Sequence, residues 1–126
     1  MNPTRFAAHV RDADGGVVVA LVGDINALAE DELDRAFTQA LATRRDTVVL
    51  DFESTDYSNS TGIALLVSLL RRARSARVRV VACGLSDHYQ EIFEITRLID
   101  YMPIADDEAT ALRLPTTFLP RGSRDA

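Results

Sequence analysis

The 126-residue chain predicts an α/β fold: a mixed, mostly parallel sheet of about five strands with about four helices and an opening β-hairpin. Three observations carry that prediction. Short runs rich in β-branched residues, such as Val17–Val22 and Thr47–Phe52, alternate with segments whose apolar residues recur at helical spacing. Asp12–Gly16 offers a turn between the first two runs, too short for a helix, which makes those runs an antiparallel pair. Helix-start residues precede the helical segments, at Asn26, at Ser58–Thr61 and at Ser86 or Asp87.

Phe6–Arg11 alternates weakly and reads as the first strand. Val17–Val22 is apolar throughout and reads as an inner strand covered on both faces. Gly23–Asn26 ends it. Asn26 is the expected N-cap of the first helix, where Glu30, Asp31 and Glu32 suit the positive end of the dipole. Leu33, Ala36, Phe37, Ala40 and Leu41 form its apolar face. Thr47–Phe52 is the third strand, and a loop over 53–59 leads to the second helix.

In that helix Ile63, Leu66, Val67 and Leu70 make an i, i+3, i+4, i+7 stripe expected to face the sheet. Leu65 and Leu69 widen it onto a neighbouring face, to be covered by another helix or, near the helix start, by another protein. Arg71, Arg72 and Arg74 belong at the negative end of the dipole. Arg77–Cys83 is the fourth strand, stopped at Gly84. The third helix carries Ile92, Phe93, Ile95 and Thr96, with Asp87 and Gln90 placed for a capping box. Tyr101–Ala105 is a short last strand and Asp106–Leu114 a last helix. Residues 1–114 form one domain. Residues 115–126 lack periodicity, contain two prolines and read as a flexible C-terminal tail, within which Leu119–Ser123 has the look of a protease-site remnant.

Composition narrows the function classes. Apolar residues make up 47% and aromatic residues 6%, without a tryptophan, which disfavours an aromatic platform for sugars or single-stranded nucleic acid. A net charge of −5 and an isoelectric point near 4.9 disfavour nucleic acid as a partner. The apolar runs are too short to cross a bilayer and Met1–Val10 has no apolar core of signal-peptide length, so a cytoplasmic protein is expected, without a membrane partner. The single cysteine, Cys83, lies in an apolar run and reads as a buried strand thiol.

The unusual stretch is Ser58-Asn59-Ser60-Thr61-Gly62, where one capping residue would suffice. Capping alone accounts for one of these side chains. Gly62 inside the first turn lowers helix propensity but bares the backbone to an approaching molecule. A hydroxyl here is also well placed for phosphorylation, because free amides and the helix dipole tolerate an anion.

These pieces resemble the STAS domain, and within it the bacterial anti-sigma factor antagonists, over roughly residues 5–114. The resemblance rests on Gly-Asp-Ile-Asn at 23–26, VVLDF at 48–52 and NSTGIALLVSLL at 59–70, supported by the strand-helix cadence of 78–112. It implies a STAS-like single domain that binds an anti-sigma factor, itself a serine kinase of the histidine-kinase-like ATPase type, and so frees a sigma factor. Phosphorylation of one serine by that kinase releases the antagonist, and a PP2C-type phosphatase resets it. Aligning Gly62 with the family pattern Asp-Ser-Ser/Thr-Gly places the phosphorylated serine at Ser60, ahead of Ser58 and Thr61. The partner surface the resemblance implies comprises Asp24, Asn26, Asp56, Ser58, Asn59, Ser60, Thr61, Gly62 and Leu65. Asn59 departs from the usual Asp: it keeps the capping geometry and loses the charge.

An enzyme would have to use other residues. His9 and His88 lie in no nucleophile or metal-ligand spacing, Ser60 lacks a G-x-S-x-G elbow, and no phosphate-binding G-x-x-x-x-G-K-[ST] loop exists. Asp51 and Asp56 near a strand end could hold a metal or accept a phosphoryl group, yet such loop carboxylates usually do neither. No catalytic residue, metal or cofactor is therefore expected. A second resemblance-based role keeps the fold: a scaffold or accessory subunit of a stress-sensing or lipid-transport complex that is not phosphorylated.

Overall fold

The computed structural model describes residues 6–55 and 59–114. Strands β1 (Ala7–Ala13) and β2 (Gly16–Val22) form the expected hairpin. A one-turn 3-10 helix (Ala27–Ala29) leads into α1 (Glu30–Ala42). Then follow β3 (Thr47–Ser54), α2 (Ser60–Ser75), β4 (Arg79–Cys83) and α3 (Asp87–Ile95). A second 3-10 turn (Leu98–Asp100), the two-residue β5 (Ile104–Ala105) and α4 (Glu108–Leu112) complete the described chain.

The sheet runs in chain order, β1-β2-β3-β4-β5. β1 and β2 are antiparallel and the other pairs parallel, because each later strand is reached through a helical crossover. The carboxyl ends of β2, β3 and β4 therefore share one edge of the molecule, and α1, α2 and α3 all start there. Between Ala20 and Val22 the β2–β3 register shifts, so that Asp51 and Ser54 oppose them with one residue extra on β3.

Side chains alternate between two unequal faces. Val17, Val19, Leu21, Val48, Leu50, Phe52, Val80 and Ala82 point into the larger core beneath α1, α2 and α3. There the Phe52 ring meets Tyr89 at 5.6 Å and Phe93 edge-on at 5.7 Å. The opposite face carries Val18, Val49, Val81, Cys83 and Ala105, covered by Ala111 and Leu112 of the short α4. β2 is buried from both sides, as its unbroken apolar run implies.

Local details depart from the sequence reading. Asn26 caps the 3-10 turn rather than α1, which starts at Glu30 after an uncapped Ala29. The inward row of α2 is Gly62, Leu66, Leu69 and Ala73, whereas Ile63, Val67 and Leu70 are only partly buried. The helix is rolled relative to the expected stripe, because Leu69 and Ala73 continue the line of Leu66 at spacings of three and four. Arg77 does not open β4. It takes φ 61° after α2, as Arg44 does after α1 and Arg97 after α3, the left-handed residue that ends a helix and turns the chain.

On α3 the cap is Ser86, whose Oγ accepts from the Tyr89 amide at 3.2 Å. No capping box forms, since Gln90 donates instead to the Leu85 carbonyl. Tyr89 and Phe93 face the core, and Ile95 points to solvent at 73% exposure. β5 is shorter than Tyr101–Ala105 and α4 shorter than Asp106–Leu114, with Asp107 as the cap of α4. The C-terminal tail, 115–126, lies outside the described residues.

Candidate partner-binding site

The site is assembled at the carboxyl edge of the sheet. Thr55, just past β3, is buried; its hydroxyl and its amide both donate to the Phe52 carbonyl, at 2.8 and 3.0 Å. The Gly23 amide donates to the Ser54 carbonyl at 3.1 Å, tying the loop after β2 to the end of β3. The chain enters α2 at Asn59, whose extended backbone (φ −116°) aims its Oδ1 at the Gly62 amide, 3.0 Å away. The Asn59 carbonyl accepts the first helical bond from Ile63 at 3.0 Å. Amides of the first turn have no partner within a helix, which leaves those of Ser60 and Thr61 as the groups an added anion would meet.

Ser60 and Thr61 are exposed at this helix start. Gly62 is buried, at the head of the inward row of α2. Leu65 is partly buried against the main core. Asp24 is exposed and Asn26 half-buried in the neighbouring loop. Asp56 and Ser58 lie outside the described residues. Of the surface expected from the resemblance, the fold thus brings Asp24, Asn26, Asn59, Ser60 and Thr61 to one edge and turns Gly62 inward.

The sequence reading missed Leu28. It sits in the 3-10 turn at 91% exposure, between Ile25 and Ala29, both fully buried. The turn packs against α2. The signal was available: Ala29 continues the Leu33–Ala36–Phe37–Ala40 row one turn back, which leaves Leu28 off that row.

A second polar cluster occupies the α4 face. The Glu53 amide donates to Asp51 Oδ1 at 3.0 Å, and Asp51 also shares a hydrogen bond with Glu108, to which Arg11 of β1 is ion-paired. Burial, followed by the bond to Glu108, pushes the Asp51 carboxyl up to about 6. The same bond, together with Arg11, holds Glu108 below the usual carboxylate range. The bond favours the neutral form of Asp51 and, with Arg11 beside it, the charged form of Glu108. Gly84 makes room, since a Cβ there would lie 2.7 Å from Asp51 Oδ1. Among the described residues no group of three His, Cys, Asp or Glu side chains could hold a metal ion. Burial first, then the surrounding carboxylates, pushes the Cys83 thiol up to about 12, which removes it as a nucleophile near neutral pH. No helix among the described residues is long and apolar enough to cross a membrane.

An opening hairpin, a parallel remainder and a hydroxyl-bearing helix start after β3 define a small α/β module. The STAS domain model matches residues 7–111, and the chain belongs to that family. BtrV of Bordetella bronchiseptica is 28% identical over 108 residues, 86% of this chain and 93% of BtrV. The anti-sigma-B factor antagonist of Listeria monocytogenes is 28% identical over 98 residues, 78% of this chain and 85% of its own. Among solved structures, the anti-sigma factor antagonist SpoIIAA in its unphosphorylated form superposes with a TM-score of 0.63 at 17% identity, covering 82% of this chain and 91% of SpoIIAA. The phosphorylated form of the Bacillus protein gives 0.62 at 20% identity, with 82% and 95% covered. The relatives and structural neighbours that this chain is similar to thus include several proteins named as anti-sigma factor antagonists.

Proposed function

We propose that this protein is a phosphorylation-controlled binding switch acting in the cytoplasm. Unphosphorylated, it binds an anti-sigma factor that is also a serine kinase of the histidine-kinase-like ATPase type, and a sigma factor is freed. Phosphorylation of Ser60 by that kinase ends the complex, and a PP2C-type phosphatase restores the binding form. The contact surface comprises Asp24, Asn26, Asn59, Ser60 and Thr61, with Asp56 and Ser58 from the intervening loop.

The observation that carries this reading is the exposed Ser60 at the first position of a 16-residue helix whose cap is already satisfied by Asn59. A phosphate there meets free amides and the positive end of the dipole, so the host helix tolerates it. The docked surface does not. Closing an interface over a group of roughly −1.5 to −2 charges strips its hydration without a prepared partner, and the bulk alone opens the contact. Asn59 in place of an acid removes a like charge beside the modified hydroxyl, which favours the phosphorylated helix start.

The test is phosphopeptide mass spectrometry after incubation with ATP and purified anti-sigma factor kinases of the source genome. Label is expected on Ser60 and is lost in Ser60→Ala, which keeps binding the kinase when ATP is present. Label on Ser58 sinks the assignment to Ser60, and no label with any kinase sinks the switch and leaves an unphosphorylated scaffold role for the same fold.

A further inference from the structure

We infer that Leu28 is the apolar anchor of the docking surface, filling an apolar pocket with a basic rim on the anti-sigma factor and thereby selecting which one this chain engages. The inference rests on the proposed function. An aliphatic side chain left 91% exposed is apolar area that yields free energy when another surface covers it.

Leu28 is also held ready. Its own amide donates to Asn26 Oδ1 at 2.9 Å, and the Ala29 amide donates to the Asn26 carbonyl at 2.9 Å. Ile25 and Ala29, each at 0% exposure, pin the turn to the core on either side. The side chain therefore projects from a fixed backbone, and docking loses little backbone freedom. The turn packs against α2, and the Gly23–Ser54 bond fixes the loop after β2 to the strand that leads towards Ser60. The knob and the phosphorylatable hydroxyl thus belong to neighbouring connections, after β2 and after β3, at the carboxyl edge of the sheet.

The partner's chemistry follows from what surrounds Leu28. Asp24, Glu30 and Asp31 are all exposed within four residues of it, which calls for basic residues around the receiving pocket. Among the described residues the other strongly exposed aliphatic side chain is Ile95, where exposed Glu91 and Glu94 are offset by exposed Arg97. It lies on the last turn of α3, the end of that helix farthest from the carboxyl edge.

The experiment uses the full chain. Purified histidine-kinase-like anti-sigma factors of the source genome are each titrated against it by calorimetry, and the tightest binder becomes the probe. Leu28→Ala is expected to weaken that complex about ten- to hundredfold with an unchanged melting temperature. Leu28→Met stays within about threefold, because the replacement keeps apolar volume. In phosphorylation assays Leu28→Ala raises KM by the same factor and leaves kcat unchanged, as loss of uniform binding requires. Ile95→Ala matches the native chain. Native affinity in Leu28→Ala, or an equal loss in Ile95→Ala, overturns the anchor while leaving the switch standing. If no kinase of the panel binds the native chain, the switch fails and the anchor with it.

Discussion

The two faces of the sheet are held by different forces. Beneath α1, α2 and α3 the contact is dry and apolar, built on Phe52, Tyr89 and Phe93 and on the aliphatic rows of β2, β3 and β4. Beneath α4 a small apolar patch is bordered by a hydrogen-bonded chain, Asp51 to Glu108 to Arg11, that crosses from β3 through α4 to β1. A five-residue helix buries too little surface to hold itself in place, so polar contacts take a larger share of its docking. The first face should respond to lost volume and the second to pH.

The largest effect is expected on the dry face. Phe93→Ala removes a fully buried ring from the aromatic cluster and should cost about 3–5 kcal/mol in denaturant unfolding. A loss near 1 kcal/mol would mean that the core collapses around the gap, and the contrast between faces would weaken.

The second prediction concerns the α4 face. The folded-state pKa of Asp51 is raised to about 6 from 3.8, so the folded protein binds this proton more tightly than the unfolded chain. Its stabilising contribution is complete below the unfolded value and is lost as pH rises through about 6. Glu108 has the opposite sign: it is lowered, and its contribution is lost only as the solution is made more acid. Melting temperature should therefore fall as pH rises from about 4 through about 6, by the part due to Asp51, and level off above. In Asp51→Asn the amide donates to Glu108 at every pH, which flattens that slope and gains about 1 kcal/mol above the transition. A native slope retained in Asp51→Asn would place the pH dependence elsewhere.

The smallest effect is at the helix ends, which belong to neither face. Arg44, Arg77 and Arg97 occupy left-handed positions that glycine adopts without a Cβ penalty. Arg77→Gly should stabilise the fold by about 0.5–1 kcal/mol, measured as a shift of the denaturation midpoint at constant slope. Destabilisation instead would show that the arginine side chain makes a contact worth more than the backbone relief.

The sequence by itself determined the order of elements, the hairpin, the parallel remainder and the position of the helix start after β3. Those features depend on local periods and on turn and capping residues, which act over a few neighbours along the chain. Val17–Val22 announced an inner strand because every residue in it is apolar, and Asn59 announced a cap because its side chain meets an amide three residues ahead. Only the tertiary structure decided how the elements roll and which side chains remain outside. The inward row of α2 became Gly62–Leu66–Leu69–Ala73 because sheet and neighbouring helices chose among several apolar faces of one helix. Leu28 and Ile95 stayed in water although their residue type suggests burial. Asp51 met Glu108, distant in sequence, because β3 and α4 stack, and burial together with that meeting sets a proton affinity that no single segment encodes.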